Sequence, residues 1–322
     1  MTFGDSGLDV GNNNYLKTPF KANYPPYGED FVGGKATGRF CNGKLVSDFT
    51  AETLGFKTYA PAYLSPEASG KKLLIGANFA SAASGFDDKA AYLSHAITLT
   101  QQLEYFKEYK TKLAKVAGTN KSASIIKDAL YLLSAGTSDI LQKYHVIPTN
   151  NQVYDSDQYA SSLVTAFTSF VKNLYGLGAR KLGVTGILPL GCLPAARMKY
   201  GFHGRSGCVS RINADVQQFN DRINSTAISL RKQLPGLKLV VFDTFNPLYD
   251  VVQSPSKYGF LEAKRGCCKT GTLETTPFLC NIKTPGTCSN ATQFVFWDNV
   301  HFSQAANQVL ADAIIVQGFG LI

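Results

Sequence analysis

Histidine is scarce in this sequence: among 322 residues it occurs only at positions 95, 145, 203 and 301. Any imidazole general base must be one of these four. No apolar run approaches the roughly 20 residues needed to cross a bilayer. Long polar tracts and internal repeats are also missing, which argues against extended disorder and against a solenoid. Charge is sparse at 17%, and the net +9 comes from scattered basic residues rather than a cluster. That pattern describes a solvated basic surface and no legible nucleic-acid module. With 44% hydrophobic residues, the chain can bury a substantial core.

The seven cysteines, at 41, 192, 208, 267, 268, 280 and 288, include no Cys-x-x-Cys pair, and no histidine lies among the last four. Zinc ligation is therefore the weaker reading and disulfide stapling the stronger. Disulfides imply an oxidising compartment. If Cys192, Cys208, Cys267, Cys268, Cys280 and Cys288 pair, Cys41 is left free; six cysteines allow 15 connectivities. Sequons at Asn120, Asn224 and Asn290 permit glycosylation on a secretory route. The sequence begins at "MTFGDS" with no leader, so a secreted, extracellular location requires one that is removed or omitted.

Short apolar runs alternate with helical patterns. "MTF" before Gly4, and the runs at 72–80, 129–136, 180–187 and 238–243, read as buried strands. Between them, Leu99, Leu103, Phe106, Leu113 and Val116 share one helical face. So do Leu163, Phe167, Phe170 and Leu174, and again Ile212, Val216, Phe219, Ile223 and Leu230. Each stripe reads as a core face. Strand–helix alternation predicts a three-layer α/β/α sandwich around a central, mostly parallel five-stranded sheet. With no linker-like shift in composition, residues 1–322 read as one domain carrying a Cys-rich insertion at about 254–292.

Ligands of such sheets sit beyond the carboxyl ends of the strands. Three expected strands end there in short turns: "GDSG" at 4–7, "ASAASG" at 80–85 and "GTSD" at 136–139. His301 lies in "FWDNVHFSQAAN", three residues after Asp298. That spacing suits a turn in which a carboxylate holds one imidazole nitrogen and the other takes a proton from a serine hydroxyl. Ser303 can cap the helix that follows. The order Ser, Asp, His excludes the chymotrypsin-like reading of "GDSG", which runs His, Asp, Ser on β-barrels. The Gly-x-Ser-x-Gly elbow fails because Leu8 stands at its second glycine. The structural alternative, Ser6 as a helix cap, leaves the Asp298–His301 pair unexplained. Asp5, Asp9, Asn12, Asn13 and Asn14 read as turn-holding residues, and His95, His145 and His203 as structural or exposed.

Ordered blocks along nearly the whole chain resemble the plant-type GDSL esterase/lipase family, a branch of the SGNH hydrolases. They include "FGDSGLDVGNNNYL" at 3–16, "PPYGEDF" at 25–31, "TGRFCNGKLVSDF" at 37–49, "GANFASAASGF" at 76–86, "LYGLGARKLGVTGILPLGCLP" at 174–194 and "FWDNVHFS" at 296–303. The resemblance implies a flavodoxin-like SGNH hydrolase fold and a serine ester hydrolase working through an acyl-enzyme. It implies a nucleophile at Ser6, a base at His301 and an orienting acid at Asp298. The implied substrates are small-molecule esters or lipids, with no cofactor and no metal. It further implies an oxyanion hole from the N–H of Ser6, a glycine N–H matching Gly85 (Ser84 in the alternative register), and an asparagine side chain. At that last position this chain has Ser138, in Gly136-Thr137-Ser138-Asp139. A serine donor stands one bond nearer the backbone, and losing an oxyanion donor costs about 10² to 10³ in turnover. Impaired hydrolysis is expected; transfer of the acyl group to an alcohol, or a catalytically weakened binding protein, are the rival readings. Specificity is expected from loops around 15–35, 86–98 and 142–158.

Overall fold

A computed structural model describes residues 1–143, 156–200, 207–270, 279–283 and 286–322. Its core is a parallel sheet in the order β1 (Thr2–Gly4), β2 (Leu130–Ser134), β3 (Lys181–Thr185) and β4 (Lys238–Phe242). Each neighbouring pair is parallel, with Gly4 opposite Ser134, Val184 opposite Leu133, and Phe242 opposite Thr185. Parallel pairing requires crossovers, and the helical segments supply them.

Those helices, among the described residues, are α1 (Val46–Thr53), α2 (Asp88–Leu93), α3 (Leu99–Ala117), α4 (Thr119–Asp128), α5 (Thr137–Lys143), α6 (Ser156–Gly176), α7 (Pro194–Tyr200), α8 (Ser210–Gln233), α9 (Phe245–Gln253) and α10 (Gln304–Gln317). They pack in two groups, α3 with α6 and α6 with α8, and α1 and α9 with α10, and both groups touch the sheet. This is the expected α/β/α layering. The predicted stripes on α6 and α8 are buried throughout. On α3 the stripe holds from Leu99 to Leu113, but Val116 is exposed because the last turn extends past the core.

The fifth strand, expected at 72–80, is where the structure differs. Gly70–Ile75 forms a 3-10 turn, and Gly76 follows at φ 108°, a left-handed value that breaks the run. The chain then extends along the free edge of β1 without forming a regular strand. There Phe79 N–H donates to Thr2 O at 2.8 Å, and Ser81 N–H to Gly4 O at 2.9 Å. The segment therefore occupies the edge place of a 2-1-3-4-5 order through one isolated bridge, at Asn78.

Outside this sheet, β5 (Glu262–Gly266) pairs with β6 (Phe294–Phe296). Three disulfides close, Cys192–Cys208, Cys267–Cys288 and Cys268–Cys280, while Cys41 is free and buried. The six cysteines expected to pair do so. Among the described residues no helix is long and apolar enough to cross a membrane.

Candidate active site

Ser6 follows β1 by two residues, at the carboxyl edge of the sheet. The turn that carries it depends on Gly4, whose φ is 128° and whose missing Cβ would lie 1.8 Å from Ser134 O. Only glycine fits so close to the β2 backbone. Asp5 N–H donates to Ser134 O at 2.9 Å. Gly4 is also held by Gln102 of α3, which accepts from its N–H at 2.8 Å and donates to its carbonyl at 2.9 Å. Asp9 accepts from Gly11, Asn12 and Ala82 N–H, so it ties the two loops together structurally.

The opposite wall is the turn after β6. Asp298 Oδ1 accepts the N–H of Val300 at 2.8 Å and of His301 at 2.7 Å, a local loop that fixes the ring by its own backbone. His301 Nδ1 lies 2.8 Å from Asp298 Oδ2. Its Nε2 lies 2.8 Å from Ser6 Oγ. With Nδ1 protonated toward the carboxylate, Nε2 is left free to accept the serine proton. Ser303 caps α10 by accepting from Ala306 N–H at 3.3 Å, and Phe40 packs beside the imidazole with ring centroids 4.9 Å apart. The spacing and the cap were both legible in the sequence.

Tyr27 was not. Its hydroxyl donates to Asp298 Oδ2 at 2.7 Å and accepts Cys280 N–H at 3.2 Å. Burial, then the neighbouring Asp298 charge, pushes that phenol well above its ordinary range, so it stays a donor. Its block, "PPYGEDF", was visible, but 271 residues separate the partners.

The third wall comprises the loop 80–87 and the start of α5. Gly85 packs on Asp139, where a Cβ would come within 2.6 Å of Oδ2. Asp139 accepts the N–H of Phe86 at 2.8 Å and of Asp87 at 2.9 Å. Ser84 N–H is already spent on Ser81 O at 3.1 Å. Among the described residues, the N–H groups of Ser6, Ala83 and Gly85 and the hydroxyl of Ser138 donate no hydrogen bond. Ala83 holds φ 71°, a strained conformation for alanine that the sequence did not reveal.

Ser6 and His301 also line a cavity of about 70 Å³, together with Thr137; Ser138 and Gly85 are not among its walls. Of the other histidines, His95 is exposed, while His145 and His203 lie outside the described residues, as does most of the predicted loop 142–158. Among the described residues, no cluster of three or more candidate metal ligands occurs.

A family model described as GDSL-like Lipase/Acylhydrolase matches residues 1–314. The chain is 65% identical to "GDSL esterase/lipase APG" of Arabidopsis thaliana over 322 residues, all of this chain and 91% of that protein. It is 55% identical to "GDSL esterase/lipase At5g03810" and 53% identical to "GDSL esterase/lipase At5g03820" of the same plant, again over 100% of this chain and 91% of each relative.

Proposed function

The chain belongs to the GDSL-like lipase/acylhydrolase family and is a serine ester hydrolase, and we propose that Ser6, His301 and Asp298 are the residues that carry its chemistry. The observation carrying this reading is the unbroken run from Ser6 Oγ to His301 Nε2, and from His301 Nδ1 to Asp298, each step 2.8 Å.

Ser6 Oγ attacks the ester carbonyl while His301 Nε2 takes its proton. The tetrahedral intermediate collapses, His301 returns the proton to the departing alkoxide, and the acyl group stays on Ser6 as an ester. Water then attacks that ester, giving its proton to His301; the second collapse frees the carboxylic acid and restores the Ser6 hydroxyl. Asp298 accepts from the ring at Nδ1, holding the imidazole in its working tautomer and favouring its charged form. The free N–H groups of Ser6 and Gly85 support these two as backbone donors to the oxyanion, with Ala83 the other unspent N–H of that turn. Ser138 is the proposed third donor.

We further propose that residues 1–322 form one domain with a Cys-rich insertion at about 254–292, and that the protein is secreted and glycosylated. Three disulfides and exposed sequon asparagines at 120, 224 and 290 support the secretory route. The test of the chemistry is Ser6→Ala, assayed on a simple ester with product analysis for acid against transferred acyl group. Turnover should fall by about 10⁶, leaving only what binding and oxyanion donors supply. A folded Ser6→Ala protein with wild-type turnover would remove Ser6 from the mechanism.

A further inference from the structure

Tyr27 is buried in an aromatic nest, edge-on to Tyr24 and to Phe40 at ring-centroid distances of 5.4 and 5.9 Å. Phenylalanine would fill the same space. What calls for tyrosine is the hydroxyl, and a hydroxyl so buried is kept where it is paired. It is paired twice, donating to Asp298 Oδ2 at 2.7 Å and accepting Cys280 N–H at 3.2 Å.

The two oxygens of Asp298 are held differently. Oδ1 accepts from Val300 and His301 N–H, both within its own turn. Oδ2 lies 2.8 Å from His301 Nδ1, and among the described residues its one other partner is Tyr27, 271 residues away. The χ2 torsion of an aspartate is soft, so with Oδ1 pinned the direction of Oδ2 is set by Tyr27 and the ring. Tyr27 is in turn held by the Cys-rich segment. Cys280 gives it the N–H, while Cys280 O accepts the Tyr24 hydroxyl at 3.0 Å. Cys280 is bonded to Cys268, whose N–H donates to Trp297 O at 2.8 Å, and Trp297 N–H donates to His301 O at 2.8 Å. A ring of contacts therefore closes, from Asp298 through Tyr27, Cys280 and Cys268 back to the residue beside Asp298.

We infer that Tyr27 is a positioning residue for the ester hydrolysis, and that the Cys-rich segment, closed by the Cys268–Cys280 disulfide, acts on catalysis by holding Tyr27 against Asp298. The inference rests on Asp298 being the acid that orients His301. Tyr27 acts through that carboxylate: turned away from Nδ1, it would no longer select the tautomer that leaves Nε2 free for the Ser6 proton.

The test is a pair of double-mutant cycles on a simple activated ester, with kcat and KM measured per folded molecule. Tyr27→Phe should lower kcat about 10- to 100-fold with KM within about twofold, the range expected for a hydrogen bond to a charged group. In the Asp298→Asn background the same substitution should cost less than about threefold, because the carboxylate through which Tyr27 acts is gone. A packing role would cost the same in both backgrounds, and that result, or an unchanged kcat in folded Tyr27→Phe, overturns the inference. Removing the disulfide by Cys268→Ala with Cys280→Ala should also lower kcat, and adding Tyr27→Phe should then cost less than about threefold. An undiminished cost there would show that the segment does not act through Tyr27. Should the alanine pair not fold, Tyr24→Phe, which removes the hydrogen bond to Cys280 O, takes its place in the cycle. If Asp298→Asn itself leaves kcat within about tenfold of wild type, the orienting role of Asp298 fails first, an outcome distinct from a failure of Tyr27 alone.

Discussion

Two fully buried carboxylates flank the candidate nucleophile, and they are treated in opposite ways. Asp298 is met by four groups: the Tyr27 hydroxyl, two backbone N–H groups and the His301 ring, whose Nδ1 lies 3.0 and 2.8 Å from its two oxygens. Asp139 receives two, from Phe86 and Asp87 N–H. Burial pushes its carboxyl up to about 7, the two N–H groups pull the other way, and the charges of Asp87 and Asp5 raise it further. The carboxylate proposed to orient His301 is the one with the larger set of partners. Asp139 is instead a clamp whose charge costs stability, kept where it fixes the turn that carries Gly85.

The largest effect that separates the two sides is expected at Asp298. Asp298→Asn would keep the shape but offer an amide where His301 Nδ1 needs an acceptor, favouring the wrong tautomer. A loss of about 10⁴ in kcat is expected, with KM little changed. A folded variant within tenfold of wild type would show that the imidazole is oriented by its other contacts, Phe40 and its own backbone among them.

How much of this was readable in advance depends on chain separation. Asp298 and His301 sit three residues apart on one turn, and Ser303 caps the next helix, so their geometry is local and left a local signature. The core stripes of α6 and α8 were readable because a 3.6-residue apolar period is a local signature of a core-facing helix, whereas Val116 on α3 shows that it does not say where the core ends. Tyr27 on Asp298, Gln102 on Gly4 and Asp139 under Phe86 span 271, 98 and 53 residues. No periodicity or motif spacing reports such pairings. The run at 72–80 failed for another reason: its apolar composition suits a strand, but composition does not show that Gly76 turns left-handed and breaks the ladder.

The middle-sized effect belongs to Ser138, the proposed third donor. Ser138 is buried, with its hydroxyl unspent among the described residues, and an amide there would reach one bond further toward the oxyanion. Ser138→Asn should raise kcat on an activated ester by up to about two orders of magnitude, with KM nearly constant. No gain in a folded variant would mean that the loop 136–139 has settled around serine, or that the two backbone donors suffice.

The smallest effect is on stability, and it isolates Asp139. Its folded pKa of about 7 lies above the roughly 3.9 of an unfolded aspartate, so between those values the native state binds more protons than the unfolded chain. Stability then falls as pH rises across that window, the reverse of a carboxylate held in a salt bridge. Asp5 and Asp9, each pushed up to about 6 by burial, add to the same slope. Asp139→Asn imitates the protonated form, with one oxygen left to accept from Phe86 or Asp87 N–H. Denaturant midpoints measured from pH 4 to 8 should therefore show a shallower decline for Asp139→Asn than for wild type, the curves lying closest at the acid end, where Asp139 is protonated, and differing most near pH 8, where only the wild type carries the buried charge. The slope should not vanish, because Asp5 and Asp9 remain. An unchanged slope would mean that the two N–H donors hold Asp139 ionised across the range, and that the contrast with Asp298 is one of role rather than of charge.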